Sequence, residues 1–340
     1  MRKIANVYMV FMIIGVSNSF SQGLTIVNNQ VSLFSINQKS DTINYVVVDT
    51  ILDKKKPVFL WCQGSRPMPL FFEKEKDEFA FFGGGIVNFE YQKIVKDFHL
   101  VVISMPKTPV IGVRKNLNNQ YYYVPDTSKP YQMSEEFIAT NFLEFYVKRA
   151  NRVIEELKNK PWVDTTTFVI AGHSQGTKIA TKVSVSNPVF THTGLFAANP
   201  MGRIDQFIRE IRLEAQLGNI SWEEADNQMN YWMSEYKQAY NVDSLKKYPN
   251  LNQWTSWGER FYDDWLAINH PIYLAYGSQD RVADLCDLVP LYFIEKGKEN
   301  LTIKRYNNLE HNFFEKKNGV VNYNKPHWNE VINEFLIWLK

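Results

Sequence analysis

The pentapeptide GHSQG at residues 172–176 has the composition and spacing of a serine nucleophile held in a sharp turn. A short apolar run, residues 168–171, precedes it and a helical pattern follows it. In such a turn the serine adopts a strained backbone conformation that exposes its hydroxyl. The residues two before and two after must approach other backbone closely, which favours glycine at both places. The motif therefore predicts nucleophilic chemistry at Ser174.

A serine hydroxyl is a weak nucleophile, so it needs a base and an acidic group that orients the base. Asp280 and His311 each follow the end of a strand-like run. The carboxyl ends of parallel strands form the edge at which open α/β sheets bind ligands. We therefore predict Asp280 as the orienting acid and His311 as the base. Asp205, which follows an earlier predicted strand, stays open as an alternative acid.

The elements that would position these residues alternate between strand and helix. Apolar runs rich in β-branched and aromatic residues predict strands at 24–36, 43–49, 57–61, 100–105, 167–171, 194–197, 272–276 and 301–306. Helical spacing predicts helices at 88–97, 134–160, 175–186, 282–296 and 328–339. Continuous apolar strands alternating with helices are typical of an α/β fold whose mostly parallel central sheet is flanked by helices.

Two stretches do not fit this alternation. Residues 106–133 are polar and rich in tyrosine, and a loop of this length is typically functional or mobile. Residues 203–268 are helical in pattern and rich in tryptophan. We expect them to form a helical cap inserted into a core made of residues 22–202 and 269–340. Their tryptophans could stack on a substrate such as a sugar, or could form the core of the cap itself.

The order of Ser174, Asp280 and His311 along the chain resembles that of α/β-hydrolase fold proteins, over about residues 24–340. The resemblance rests on GHSQG, on the GSQD turn at 277–280 and on the EHNF segment at 310–313. It implies an α/β-hydrolase fold in which these three places hold the nucleophile, the acid and the base.

The resemblance also implies an oxyanion-hole donor just after the strand at 57–61. Many family members have His-Gly there, whereas this chain has Gln63-Gly64. We assign the oxyanion hole to the backbone N–H groups of Ser65 and Gln175. The neighbouring Arg66 could meet a substrate carboxylate, or could be an ordinary surface arginine.

The leading hypothesis is an exported serine hydrolase that cleaves an acyl ester, of a carbohydrate or another small molecule, through an acyl-enzyme. Two alternatives stay open. One is an exopeptidase that uses the same three residues, in which Glu223 and Glu224 could bind a peptide amine. The same glutamates also fit a helix capping box that begins at Ser221. The other alternative is a non-catalytic binding protein on the same fold, motivated by Gln63 and the tyrosine-rich loop.

Residues 1–21 have the pattern of a secretory signal peptide. Arg2 and Lys3 precede the apolar run Ile4–Val16, and small polar residues lead to a cleavage site before Gln22. The apolar run is shorter than the roughly 20 residues that a membrane-spanning helix needs. We therefore expect cleavage, export to the periplasm or the medium, and no membrane span in the mature chain.

Composition excludes several classes of protein. The chain is 45% hydrophobic and 15% aromatic, which excludes disorder as its main state. A net charge of +2 without a long basic run gives no indication of a surface that binds nucleic acid. The two cysteines, Cys62 and Cys286, favour buried free thiols, with one disulfide as the alternative. No residue cluster has metal-ligand spacing, so we expect no metal and no cofactor; the oligomeric state is left open.

Overall fold

The computed structural model describes residues 24–26, 31–39, 41–48, 52–75 and 78–340. The predicted signal peptide, residues 1–21, lies outside the described residues. The strands are β1 (Leu24–Ile26), β2 (Val31–Asn37), β3 (Thr42–Val48), β4 (Lys56–Cys62), β5 (Phe71–Glu75), β6 (Glu78–Phe81), β7 (His99–Ile103), β8 (Ile111–Val113), β9 (Val163–His173), β10 (His192–Phe196), β11 (Ile272–Gly277), β12 (Leu301–Tyr306), β13 (Phe314–Lys317) and β14 (Val320–Pro326). The helices are α1 (Gln92–Asp97), α2 (Glu135–Thr140), α3 (Leu143–Leu157), α4 (Gln175–Ser186), α5 (Arg203–Gln216), α6 (Trp222–Ala239), α7 (Val242–Lys247), α8 (Asn252–Ser256), α9 (Tyr262–Ala267), α10 (Ala283–Glu295) and α11 (Trp328–Trp338), with short 3-10 helices at Gly83–Asn88, Arg114–Asn116 and Pro249–Leu251.

A nine-stranded sheet forms the centre of the molecule, in the order β1-β2-β3-β7-β4-β9-β10-β11-β12. The neighbours from β7 to β12 pair in parallel, whereas β1, β2 and β3 add an antiparallel edge. The predicted class, an α/β fold with a mostly parallel sheet, is therefore confirmed. In this order the ends of β4, β9, β11 and β12 meet at one edge of the sheet.

Helices cover both faces of this sheet, which explains why its central strands β4, β7 and β11 are largely apolar. Along β4, Val58 and Leu60 belong to one buried cluster and Phe59 and Trp61 to the other. The first cluster includes residues of α3, α4, α9 and α10. The second includes residues of α1 and α11. The two cores hold the sheet, and thereby the strand ends that carry the site, in a fixed position.

Two predicted elements are each divided in the structure. Residues 24–36, predicted as one strand, form the antiparallel pair β1 and β2. The helix predicted at 134–160 is interrupted where Phe142 adopts an extended conformation, with φ −138° and ψ 148°. There the Leu143 N–H donates to Ser256 Oγ (2.6 Å). A contact to a residue this distant in sequence leaves no trace in local helical periodicity, so the prediction of one helix was wrong.

The tyrosine-rich stretch 106–133 contains regular structure. Its strand β8 joins β5 and β6 in a second, three-stranded sheet. The Asn118 side chain organises the following turn, because its Oδ1 accepts from the Gln120 and Tyr122 N–H groups. The Tyr123 N–H donates to the Pro67 carbonyl (2.8 Å), which ties this stretch to the segment after β4.

Five helices, α5 to α9, lie between β10 and β11, in the stretch predicted as a cap. Two of its tryptophans, Trp257 and Trp265, belong to the main buried core. Trp232 and Trp254 pack against Phe207, with ring centroids 4.4 and 6.1 Å from that ring. Trp232 and Trp254 thus pack within the insertion, as the core interpretation predicts, whereas Trp257 and Trp265 pack into the main core of the molecule. Among the described residues, no helix has the length and apolar character needed to cross a membrane.

Candidate active site

The turn between β9 and α4 holds Ser174 in a conformation that non-glycine residues rarely adopt, with φ 55° and ψ −122°. Hydrogen bonds on both sides maintain it. The Ser174 N–H donates to the Phe196 carbonyl (2.9 Å), and Thr177 Oγ1 donates to the Ser174 carbonyl (2.6 Å). The predicted strain at this serine is confirmed, and its side chain lies at the N-terminus of α4, where negative charge is favoured.

Both glycines of the pentapeptide are required by close backbone approaches. A Cβ on Gly172 would lie 2.3 Å from the Gly176 carbonyl oxygen. A Cβ on Gly176 would lie 2.1 Å from the Cys62 carbonyl oxygen. The first contact closes the turn around Ser174, and the second brings the start of α4 against the segment that follows β4. The predicted need for glycine at both places is confirmed.

The structure brings Ser174, His311 and Asp280 into one hydrogen-bonded chain. His311 Nε2 lies 2.8 Å from Ser174 Oγ, and His311 Nδ1 lies 2.8 Å from Asp280 Oδ2. Because the Asp280 carboxylate can only accept, Nδ1 carries the proton and Nε2 is left to accept from the serine hydroxyl. The Asp280 side chain is 2% exposed and that of His311 is 34% exposed. The Asp280 carboxylate is thus buried behind the imidazole of His311, which is itself partly exposed.

Contacts between two loops fix the positions of Asp280 and His311. Gly277 ends β11 so close to the following loop that a Cβ there would lie 2.1 Å from the Leu309 carbonyl oxygen. The Gln279 N–H donates to that carbonyl (2.9 Å), and the Asn308 N–H donates to Ser278 Oγ (2.9 Å). These bonds fix the Asp280 turn against the His311 loop.

The charge state of His311 is set by opposing effects. Burial disfavours the charged imidazole, but the charge and hydrogen bond of Asp280 outweigh burial, so the pKa of His311 is raised above its ordinary value. The raised pKa means that the protonated imidazolium is stabilised at this position. Asp280 therefore both orients the ring and stabilises its charged form.

His173, the residue before Ser174, contacts the backbone of His311. Its Nε2 lies 3.0 Å from the His311 carbonyl oxygen, and its ring lies 5.0 Å from the Trp328 ring. Burial, together with the charge of His311, lowers the pKa of His173 to about 3. The ring is therefore neutral at physiological pH, and Nε2 donates its proton to the carbonyl. Its position one residue before the nucleophile is the only sequence signal for this role.

The two predicted oxyanion donors belong to residues that line different cavities beside Ser174. Ser65 lines an open cleft of about 460 Å³ together with Ser174 and His311. Gln175 lines a smaller cavity of about 20 Å³, to which the same two residues contribute. Gln63, which departs from the family pattern, is buried and donates from Nε2 to the Ile103 carbonyl (2.6 Å). The Gln63 side chain thus anchors the segment that carries Ser65.

Sequence reasoning missed Arg203 and Gln206, two residues of α5 that line both cavities. Arg203 Nη2 donates to Gln175 Oε1 (3.2 Å). Tyr122, from the tyrosine-rich stretch, and Arg66 also line the cleft. Arg203 and Gln206 are ordinary polar residues near the start of a helix, so the sequence does not indicate that this helix lies beside Ser174.

Lys178 of α4 joins the nucleophile helix to the 203–268 insertion. Its Nζ donates to the carbonyls of Met201 (2.7 Å) and Trp257 (3.2 Å). Burial lowers the pKa of Lys178 to about 7, and the charge of Arg203 contributes. Because its donors are used by backbone carbonyls, Lys178 fixes the cavity wall.

The remaining sequence candidates lie elsewhere in the structure. Asp205 Oδ2 accepts from the Gly202 N–H (2.9 Å) and so caps α5, whereas His311 pairs with Asp280. Ser221 Oγ accepts from the Glu224 N–H (3.1 Å), as a capping box requires. Glu223 and Glu224 are exposed and line neither cavity. Cys62 and Cys286 are buried and free, which confirms the expectation of free thiols.

No family model and no curated protein sequence matches the chain. Among solved structures, a candidate dipeptidyl aminopeptidase IV from Bacteroides ovatus is similar, with a TM-score of 0.52 and 11% identity, over 94% of this chain and 36% of that one. A candidate lipase from Acinetobacter baumannii has a TM-score of 0.48 and 13% identity over 92% of this chain and 91% of that one. Acetyl xylan esterase 1 from Thermoanaerobacterium has a TM-score of 0.48 and 10% identity over 94% and 87%.

This chain spans 36% of the length of the Bacteroides ovatus structure, and at 11% identity the likeness concerns the fold alone. The sheet supports the same conclusion, because its parallel strands β4, β9, β11 and β12 bring the segment after β4, Ser174, Asp280 and His311 to one edge. The resemblance noted in the sequence is therefore confirmed at the level of architecture: the chain has the α/β-hydrolase fold.

Proposed function

We propose that this protein is a serine hydrolase that cleaves carboxylic esters of small molecules. The observation that carries the proposal is the chain of hydrogen bonds from Asp280 through His311 to Ser174, with both distances at 2.8 Å. Ser174 opens onto a cleft of about 460 Å³, a size typical of small-molecule sites. An aligned nucleophile, base and acid beside such a cleft favour acyl transfer.

In the proposed reaction Ser174 Oγ attacks the acyl carbonyl, and its proton passes to His311 Nε2. Asp280 accepts the hydrogen bond of Nδ1–H and stabilises the imidazolium. The oxyanion is held by the N–H groups of Ser65 and Gln175, neither of which donates to another described residue. His311 then gives the proton to the leaving alkoxide, and water, deprotonated by the same nitrogen, releases the acid from the acyl-enzyme.

Charge around the site supports an ester substrate over an aminopeptidase substrate. Arg66 and Arg203 line the cleft, and no carboxylate is among its described lining residues. The α-ammonium of an aminopeptidase substrate would meet these like charges beside the scissile bond. Glu223 and Glu224, considered as amine ligands, lie outside both cavities.

A non-catalytic binding protein would be supported by a serine and histidine beyond hydrogen-bond reach and by a filled pocket. The described residues have neither property, since Ser174 Oγ and His311 Nε2 are 2.8 Å apart and the cleft is open. The geometry therefore gives the binding-protein hypothesis no support.

Hydrolysis of 4-nitrophenyl acetate and of alanine 4-nitroanilide by the full chain tests the proposal. We expect turnover of the ester, little turnover of the anilide, and loss of at least about 10³-fold in kcat for Ser174→Ala. Ser186→Ala is the matched control, because Ser186 is exposed at the other end of α4. Equal ester turnover by wild type and Ser174→Ala would refute the assignment.

We also propose that residues 1–21 are a signal peptide, and that the mature protein begins at Gln22 and is exported to the periplasm or the medium. The proposal rests on the basic start and the short apolar run of the sequence alone. Intact mass measured on protein recovered from each fraction of a bacterial culture tests it. A full-length mass in the cytoplasmic fraction only would overturn it.

A further inference from the structure

Two arginines line the cleft beside Ser174, and no described carboxylate lines it with them. Arg66 and Arg203 line it, and neither forms an ion pair in the part of the chain that the structure describes. Glu210, whose charge acts on Arg203, pairs instead with Arg281 (2.9 Å). Gln206 Nε2 also donates to Glu210 (2.8 Å). Glu210 therefore binds Arg281 and Gln206 and forms no ion pair with Arg203.

Arg203 is held in place rather than free at the surface. Its backbone N–H donates to the Trp257 carbonyl (3.1 Å), and its Nη2 donates to Gln175 Oε1 (3.2 Å). Burial lowers the pKa of Arg203, and the charge of Arg66 lowers it further. Two positive charges that line one cleft repel each other, and a bound anion would relieve this repulsion.

Gln175, which Arg203 contacts, lines the smaller cavity of about 20 Å³ and not the cleft. Its Oε1 accepts from Arg203, but its buried Nε2 has no hydrogen-bond partner. A cavity of about 20 Å³ has room for about one water molecule, which is enough to pair that donor, so the Nε2 group does not itself indicate a substrate group. The charged donors that line the open cleft beside Ser174 are therefore Arg203 and Arg66.

We propose that the substrate carries a carboxylate, bound by Arg203 with Arg66 beside it, close to the acyl group that Ser174 attacks. This inference rests on the proposed hydrolase function and names the class of substrate. The guanidinium fork matches the two oxygens of a carboxylate. A cleft lined by charge of one sign also concentrates ligands of the opposite sign.

Two matched pairs of esters test the inference and locate the carboxylate. Mono-(4-nitrophenyl) adipate against 4-nitrophenyl hexanoate places the charge on the acyl side. 3-Acetoxybenzoate against its methyl ester places it on the leaving-group side. In wild type, kcat/KM for the acid in one pair should exceed that for its neutral partner by about ten- to a hundredfold, the range for a hydrogen bond to a charged group.

Variants assign the preference to the arginines. Arg203→Gln should bring that ratio down about tenfold or more, Arg66→Gln should lower it less, and Arg203→Lys should restore part of it. Arg152→Gln, an exposed arginine of α3 that lines neither cavity, is the matched control. A ratio below one in both pairs overturns the inference, as does an equal fall for acid and neutral ester in Arg203→Gln, which would show a structural role only.

A second measurement does not depend on turnover of these esters. Hexanedioate should slow the labelling of Ser174 by a fluorophosphonate in wild type but not in Arg203→Gln, whereas hexanediol should not slow it in either protein. Equal protection by the acid and the diol would overturn the carboxylate inference while leaving the hydrolase proposal intact. Absence of labelling in unprotected wild type would instead refute the hydrolase proposal itself.

Discussion

Gly176 sets the distance between the nucleophile helix and the proposed oxyanion segment, so Gly176→Ala tests how the site is assembled. A Cβ there would lie 2.1 Å from the Cys62 carbonyl oxygen and 2.8 Å from the Gln63 carbonyl oxygen. Carbon and oxygen in ordinary contact are about 3.3 Å apart. The backbone must therefore open by about 1 Å, which separates the N–H groups of Ser65 and Gln175.

The cost of this opening follows from the role of the two donors. Loss of one oxyanion donor costs about 10²–10³ in kcat, and a 1 Å misplacement alone can cost about 10². We expect kcat of Gly176→Ala for 4-nitrophenyl acetate to fall by about 10²–10³. The overpacked contact should also lower the free energy of unfolding by about 1–3 kcal/mol.

Gly64→Ala is the matched control for this substitution. Gly64 belongs to the same segment, but a Cβ there would have nothing within 4 Å and its φ is not in the left-handed region. It should therefore keep most of the wild-type kcat. Steady-state kinetics on both variants, with circular dichroism to establish folding, decide the point. A folded Gly176→Ala with kcat within tenfold of wild type would refute the reasoning.

Three further predictions follow from the contacts. Activity requires a neutral His311, whose pKa is raised, so kcat/KM should increase with pH through a pKa above 6.5, and an inflection below 6.5 in wild type would contradict the raised pKa. Asp280→Asn should reduce kcat about 10⁴-fold. His173→Phe keeps an aromatic ring but loses the N–H that donates to the His311 carbonyl, so kcat/KM should fall about tenfold with unchanged secondary structure. Unaltered kinetics would exclude a positioning role for His173. Arg149 and Asp41 form a buried ion pair, with side chains 4% and 6% exposed, so Asp41→Asn should lower the free energy of unfolding, measured in urea, by about 3–5 kcal/mol. Asp243→Asn, which removes an exposed ion pair with Lys246, should change it by less than about 1 kcal/mol.

Sequence reasoning succeeded where the determinants of structure are local. Each strand of a parallel sheet with two covered faces is a short apolar run, so the runs at 57–61, 167–171 and 272–276 were recognisable one by one. The turn at 172–176 was recognisable because its glycines are required by contacts within the turn and with the adjoining segment. Parallel pairing then brings successive strand ends to one edge, where Ser174, Asp280 and His311 meet.

Features that depend on contacts between distant segments were missed. The break before α3 depends on Ser256, and the position of Arg203 depends on how the helices between β10 and β11 fold back over α4. The hairpin of β13 and β14 was also missed, because β14 is largely exposed, β13 is short, and neither contains a continuous apolar run. Local periodicity contains no information about such contacts.

The central claim, that Ser174 is an activated nucleophile, is tested most directly by labelling the full chain with a fluorophosphonate and mapping the adduct by peptide mass spectrometry. The geometry of Ser174, His311 and Asp280 predicts a single adduct, on Ser174. It also predicts that His311→Ala will slow labelling by at least about 10²-fold, because the base contributes about 10²–10⁴. A folded protein without an adduct at Ser174, or with the same labelling rate in His311→Ala, would contradict the claim.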